Sequence, residues 1–323
     1  MGLHGGCMSR SAKPISSYRH LKATDGVGVM VIVAYGLVTG LGLFLSMGDG
    51  LRWLAGQLVL AVALLQWFVT MHEAGHGTLF ASAKLNTWSG HLASLFSLIP
   101  FHSWRIIHHE HHRWTGWQDL DPTTEALVPR ELATFEKVII NTCWWLWIPL
   151  FSVLYRVNNF WRMGRLVERV PERHLPRVKR NLRSLGALYA LGLVAIGPGM
   201  CLEIFGLALL LSFMFMDLIL FSQHNHIPQK LSRGEKVSPH GFLEQEQFTR
   251  SLVFPKWFAL GVLLNFDAHE LHHMYPSIPG YRLGAIDYQT QNAIGWWDWV
   301  WQSKRVPAAT LMFKNRRDTG LTL

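Results

Sequence analysis

Charge is scarce in this chain of 323 residues. Only 16% are Asp, Glu, Lys or Arg, against about a quarter in an ordinary soluble domain. That shortage argues against a water-soluble globule. Cysteine is scarcer still: Cys7, Cys143 and Cys201 lie far apart and form no CxxC pair, so no disulfide framework is implied. Acidic residues number 21 against 30 basic ones, for a net charge of +9. A basic chain raises the question of nucleic acid. Here the basic residues lie between apolar runs, which fits anionic headgroups and the positive-inside rule, and no nucleic-acid partner is expected. The first 26 residues have no apolar core, so they are not read as a secretory signal. No repeat of fixed period, low-complexity linker or appended soluble domain is visible.

What the chain has is grease and histidine. Half of it is apolar, with 15 Trp and 18 Phe, rings that collect at membrane–water boundaries. Residues 27–47 form an apolar run that spans roughly 31 Å as a helix, one hydrocarbon thickness. After a turn at Gly48-Asp49-Gly50, residues 53–70 return. A second hairpin is read over 182–200 and 202–221, around Gly197-Pro198-Gly199. The basic stretch 158–182 and the N-terminal tail, with Arg10, Lys13, Arg19 and Lys22, both belong on the cytosolic side. That parity makes 138–157 a re-entrant or interfacial helix bent at Pro149. Residues 86–101 are too short to span.

The 17 histidines are unevenly spread. HEAGH puts His72 and His76 four apart, on one helical face. HHEHH contains His108, His111 and His112 at i, i+3 and i+4, and HELHH repeats this at His269, His272 and His273. QHNH adds His224 and His226 where the last membrane run ends. A lone HxxxH pair is more often packed or surface histidine. Three boxes and a fourth group on one predicted side are not explained that way. His4, His20, His91, His102, His174 and His240 have no partner at ligand spacing and read as ordinary.

Clustered neutral imidazole suits Zn, Cu, Fe or Ni. One zinc takes three or four protein ligands, so the supply here exceeds one site and suggests two ions. Spacing alone leaves the metal open. HEAGH also satisfies HExxH, with Glu73 as a would-be base; a membrane zinc protease is a competitor that leaves both HxxHH boxes unexplained. A metal transporter would need a polar path, and the spans offer little beyond Gln57, Gln66 and Asp217. Gly36, Gly40, Gly42 and Gly56 read first as close helix packing and second as room for a lipid tail.

The segments HEAGHGTLF (72–80), WRIIHHEHHRWTG (104–116), QHNHIP (223–228) and HELHHMYPSIPGYRL (269–283) resemble the membrane fatty-acid desaturases, especially the acyl-lipid Δ12/ω-3 branch. The resemblance covers roughly residues 25–285. It implies a non-haem di-iron centre at the cytosolic face, with His72, His76, His108, His111, His112, His224, His269, His272 and His273 as ligands. His226 is a weaker candidate, and His109 falls where the family often has Arg. Asn265, one turn before His269, is a possible direct or water-mediated ligand. Asp267 is a possible acceptor for a ligating imidazole, as are Glu73, Glu110 and Glu270. Asp217, seven residues before His224 inside the last membrane run, is a further candidate.

The expectation is therefore an all-α, polytopic membrane protein, a single domain over 1–323. It has four transmembrane helices in two hairpins (27–47, 53–70, 182–200, 202–221), helices 86–101 and 138–157 interfacial or re-entrant, a cytosolic tail 1–26 and a cytosolic histidine-rich cap. The activity expected is O2-dependent desaturation of a lipid acyl chain. Breaking an unactivated C–H bond lies beyond side-chain acid, base or nucleophile chemistry and needs a redox metal. Electrons would come from an external ferredoxin or cytochrome b5 type donor, since no HPGG segment is present. Hydroxylation, or oxidation of a carotenoid, sphingolipid or hydrocarbon on the same scaffold, is the alternative.

Overall fold

A computed structural model describes residues 12–323. Residues 1–11, with His4, Cys7, Arg10 and the start of the expected cytosolic tail, lie outside the described residues. The first two long helices, α1 (Asp25–Ser46) and α2 (Gly50–His76), form an antiparallel hairpin. Their backbones meet closely because two contact positions lack a side chain. A Cβ on Gly42 would come within 2.8 Å of Leu60 Cγ, and one on Gly56 within 2.3 Å of Ser46 N. Gly36 and Gly40 face open space, so the packing role falls on Gly42 and Gly56.

Two shorter helices follow, α3 (Ala83–Ser97) and α4 (Phe101–Trp114). Next comes a bent pair. Helix α5 (Thr134–Trp145) meets α6 (Leu150–Arg156) and its π-helical continuation Val157–Trp161 at 111°. The bend is built from Trp147 in the left-handed region at φ +60° and from Pro149, which has no N–H to continue a helix. Helix α7 (Met163–Arg169) leads to α8 (Leu175–Ile196), which turns at Gly197 into α9 (Pro198–His224). The remaining helices are short: α10 (Lys256–Gly261), α11 (His269–Met274), α12 (Gly280–Leu283), α13 (Trp296–Ser303), α14 (Ala308–Phe313) and α15 (Arg316–Thr319). The one small sheet among the described residues pairs β1 (Leu252–Val253) in parallel with β2 (Ile294–Gly295), Leu252 opposite Ile294.

Among the described residues, α1, α2 and α9 are long and apolar enough to cross a membrane, and the α5–α6 pair makes a fourth if it counts as one span. The expected span 182–200 falls on α8. Its first turns carry exposed Arg177, Lys179, Arg180 and Arg183, which shortens its apolar part, and its turn comes at Gly197, within the expected Gly197-Pro198-Gly199. The outer faces of α1, α8 and α9 expose Leu37 (70%), Val194 (84%) and Leu202 (72%), surfaces suited to hydrocarbon rather than water.

Helices α2 and α9 run parallel and fix the level of the site. Near their starts, Trp53 Nε1 donates to the Glu203 carbonyl at 3.0 Å, and Gln57 Nε2 to that of Ile204 at 2.8 Å. Gln66 Nε2 donates to the Gly261 carbonyl at 3.2 Å. The polar residues of the apolar segments thus stitch helices together, each such bond worth about 0.6 kcal/mol on average in a bilayer. Both helices end in histidine at the same end of the molecule.

Candidate metal centre

Each histidine is delivered by a local device. Helix α2 stops immediately after His76 because Gly77 takes φ +74°, the usual left-handed stop. Helix α4 is two-faced: Trp104, His108, His111 and His112 are buried, while Arg105, His109 and Arg113 are exposed. Helix α9 ends at His224, where Asn225 turns extended. Helix α11 is only six residues long, enough to put His269, His272 and His273 on one face.

The four segments converge into two quartets. His72, His76, His108 and His272 form one; His111, His224, His269 and His273 form the other. Within each, one nitrogen per ring lies within 4.8 Å of the others. His112 sits between them. Its Nε2 is 3.1 Å from His108 Nε2 and 3.0 Å from His272 Nε2, and its ring stacks on His273 at 4.2 Å. His76 Nε2 lies 2.8 Å from His108 Nε2, and His224 Nε2 lies 2.8 Å from His269 Nε2.

The donor set fits transition-metal ions. In four rings Nδ1 meets an oxygen and Nε2 is left to point inward. His111 Nδ1 faces Asp121 Oδ2 at 2.7 Å, His273 Nδ1 faces Gln245 Oε1 at 2.9 Å, His224 Nδ1 faces the Phe248 carbonyl at 3.3 Å, and His72 Nδ1 faces Glu73 Oε1 at 3.3 Å. An acceptor on one nitrogen fixes the tautomer and presents the other as a lone pair. His72 Nε2 and His273 Nε2 are buried with no hydrogen-bond partner, a costly state for a polar atom that a bound cation would relieve. Burial, followed by mutual repulsion among the rings, holds His108, His112, His269 and His273 well below the ordinary imidazole pKa. These rings are neutral, as metal ligation requires.

The sequence offered Glu73 among these acceptors, and the others were missed. Asp121 is buried; burial opposes its ionisation, but the His111 imidazole and the surrounding hydrogen bonds outweigh that and hold its carboxyl below the usual range. Thr123 Oγ1 ties Asp121 Oδ1 at 2.9 Å and reaches His111 Nδ1 at 2.9 Å. Gln245, besides meeting His273, donates to the His112 carbonyl at 2.7 Å. The only sequence signal for Asp121 is an acidic pair, Asp119 and Asp121, in the loop after HHEHH.

Several candidates lie elsewhere. His226 turns away at φ +59°, its Nε2 2.7 Å from Thr319 Oγ1. Asn265 Nδ2 donates to the Gly280 carbonyl at 2.8 Å. Asp267 has a buried Oδ1 without a partner, and burial pushes its carboxyl up to about 7. Asp217 accepts from the Ser152 backbone and so ties α9 to α6. Glu73 stays at the site: besides facing His72 Nδ1 at 3.3 Å, it accepts from Gly280 N at 2.8 Å and from Thr78 Oγ1 at 2.8 Å, so it pins the PSIPGYRL segment and is occupied rather than poised as a base. Glu270 accepts from Ser251 N and Asn292 N. Glu110 is on the rim, bonded to Trp114.

An apolar cavity of about 450 Å³ reaches both quartets. His72, His108, His111, His224 and His269 line its inner end; Phe68, Leu154, Tyr155, Phe221 and Phe266 are among its walls. The α5–α6 bend forms one side through Phe135, Ile139, Leu150 and Phe151. None of the four glycines considered for tail space lines it.

Histidines in this arrangement could hold two metal ions beside a greasy cavity, and the comparisons give the family. The fatty acid desaturase family model matches residues 51–302, and the chain belongs to that family. Among its relatives, the sn-2 acyl-lipid omega-3 desaturase (ferredoxin), chloroplastic, of Helianthus annuus is 26% identical, covering 67% of this chain and 50% of the relative. The omega-3 fatty acid desaturase, chloroplastic, of Glycine max is 27% identical, covering 67% and 49%. The acyl-lipid omega-3 desaturase (cytochrome b5), endoplasmic reticulum, of Arabidopsis thaliana is 25% identical, covering 71% and 61%. The chain thus spans about half the length of the first of these relatives.

Proposed function

We propose that this protein is an acyl-lipid desaturase that uses O2, external electrons and two non-haem irons, one per histidine quartet. The observation that carries the reading is the meeting of two imidazole quartets with one apolar cavity at the ends of α2 and α9. His72, His76, His108 and His272 would hold one iron, and His111, His224, His269 and His273 the other, with His112 between. When bound, iron supplies the O2-dependent oxidation that breaks unactivated C–H bonds. The chain's own residues do the rest. The aromatic and aliphatic walls bind an alkyl chain and exclude water from the histidine end. Asp121, Gln245 and the Phe248 carbonyl hold the imidazole tautomers. Glu73, through Gly280, holds the segment after the last box against α2.

For topology, we infer one membrane-embedded domain with α1, α2, α8 and α9 crossing the bilayer, the α5–α6 pair re-entrant, and the histidine end cytosolic. The support is the basic composition of 158–182. Single cysteines at Asn158 or Asn181 in a Cys-free background should be shielded from an impermeant reagent outside intact cells, and one at Asp49 should react. Strong outside labelling at 158–181 would mean that the bent pair crosses.

The activity is tested by expression in a host without such an enzyme, followed by lipid analysis. The expected product is an acyl lipid lighter by two hydrogens, with the new double bond at one position, dependent on O2 and absent in His108→Ala. A product heavier by one oxygen would make the protein a hydroxylase. No change in any acyl lipid, with iron and a matched donor present, would refute the reading.

A further inference from the structure

Three of the imidazoles of HHEHH turn inward; His109 does not. It lies with Arg105 and Arg113 on the exposed face of α4, at spacings that make one stripe. The other face of the same two helical turns carries His108, His111 and His112. The His109 ring is 6.1 Å from that of His76, and His76 is half-buried. This stripe therefore lies directly beside a half-buried ring of the first quartet.

The charge around it is one-sided. Helix α8 starts at the same end of the molecule and packs on α4, where His102 N donates to Asn181 Oδ1 at 3.0 Å. Its exposed Arg177 and Arg180 join Arg105 in the field felt by His102. Burial first, then His91 and these three guanidinium groups, hold His102 down to about 4. Glu110, 3.8 Å from Arg113, offsets the excess only in part. The stripe also differs from the lipid-facing surfaces. No large hydrophobic side chain between Trp88 and Phe135 is exposed among the described residues, whereas Phe135, Val138, Ile139 and Trp145 on α5 are. It is a watery, basic surface directly over the histidines.

Redox balance says what should land there. Forming a C=C bond takes two protons and two electrons from the alkyl chain, while reducing O2 to two waters takes four electrons and four protons. The remaining two electrons come from a carrier, with two protons from solvent. We propose that the outer face of α4, with Arg105, His109 and Arg113, together with Arg177 and Arg180 of α8, is the docking face for a small acidic one-electron carrier protein. This rests on the desaturase reading. Opposite charge steers such encounters and makes them salt-sensitive.

The test uses the full chain, loaded with iron, in nanodiscs of neutral lipid. Product formation is driven either by reduced methyl viologen or by an acidic protein carrier, a [2Fe–2S] ferredoxin and a soluble cytochrome b5 each tried. The triple variant Arg105→Glu/Arg113→Glu/Arg177→Glu should raise the half-saturating carrier concentration ~10-fold or more at low salt, and the gap should narrow to about 2-fold near 0.5 M salt. Viologen-driven turnover and iron content should stay at wild-type level, and the Arg→Lys triple should keep the wild-type carrier response. Unchanged carrier response in the Glu triple overturns the docking face, as does wild-type turnover with viologen but with neither carrier. So does loss of binding to phosphatidylserine vesicles without a shift in carrier response, which would make the face a lipid contact. Absence of viologen-driven turnover in the wild type instead strikes the desaturase reading itself.

Discussion

The two histidine quartets contain the same residue type in the same number, yet the protein holds them differently. In the second, three of four rings rest on oxygen acceptors: His111 on Asp121, His273 on Gln245 and His224 on the Phe248 carbonyl. In the first, only His72 has one, at 3.3 Å to Glu73, and His108 Nδ1 has none. The first quartet is arranged by packing instead: Trp104 stacks on His108 at 4.3 Å, and Phe266 meets His72 edge-on at 4.8 Å. Each quartet also contains one half-buried ring, His76 in the first and His224 in the second. One candidate metal position is therefore preorganised by second partners, while the other would depend on the ion itself. Orienting partners typically account for 10–100-fold in metal affinity or activity, so the second position should fill first.

Ligand removal should break this asymmetry most strongly. His272→Ala should abolish product and leave about one iron per chain, held by the intact second quartet. His111→Ala should abolish product and lower iron further, because it removes a ligand from the tighter position; iron analysis of both purified variants decides. Asp121→Ala should come next, with iron affinity or activity falling ~10–100-fold, and with Asp121→Glu recovering part of it. Gln245→Leu should cost less, since a neutral acceptor holds an imidazole less firmly than a carboxylate does. Smallest of all, His226→Ala should leave iron content within error of wild type. A large iron loss in His226→Ala would bring that ring back into the site.

The histidine groups were legible because helices impose a period. HxxxH and HxxHH put side chains on one face whatever the tertiary fold, and two apolar hairpins say which end they share. Asp121 was not legible in the same way. It follows His111 by ten residues in an aperiodic loop, and only the folding of that loop returns it to the imidazole. Gln245 lies farther still from His273, in a 3-10 segment between elements. His226 shows the opposite failure. It is two residues from His224, but α9 ends between them, and the exact stop of a helix is a tertiary matter. The bend at Pro149 was readable from proline chemistry, whereas the left-handed Trp147 beside it was not. The second hairpin and its turn at Gly197 were readable, but α8 starts at Leu175 rather than 182, because its basic first turns are helix that the apolar count left out.

Metal content of the purified, full-length chain tests the central claim most directly. Elemental analysis on protein expressed with ample iron and zinc should give about two irons per chain, one for each quartet, with little zinc. Partial reloading of the apo form should fill the position that His272→Ala retains before the one that it loses. One tightly held zinc and no iron would contradict the di-iron centre and return HEAGH, with its HExxH pattern, to the reading of a zinc site.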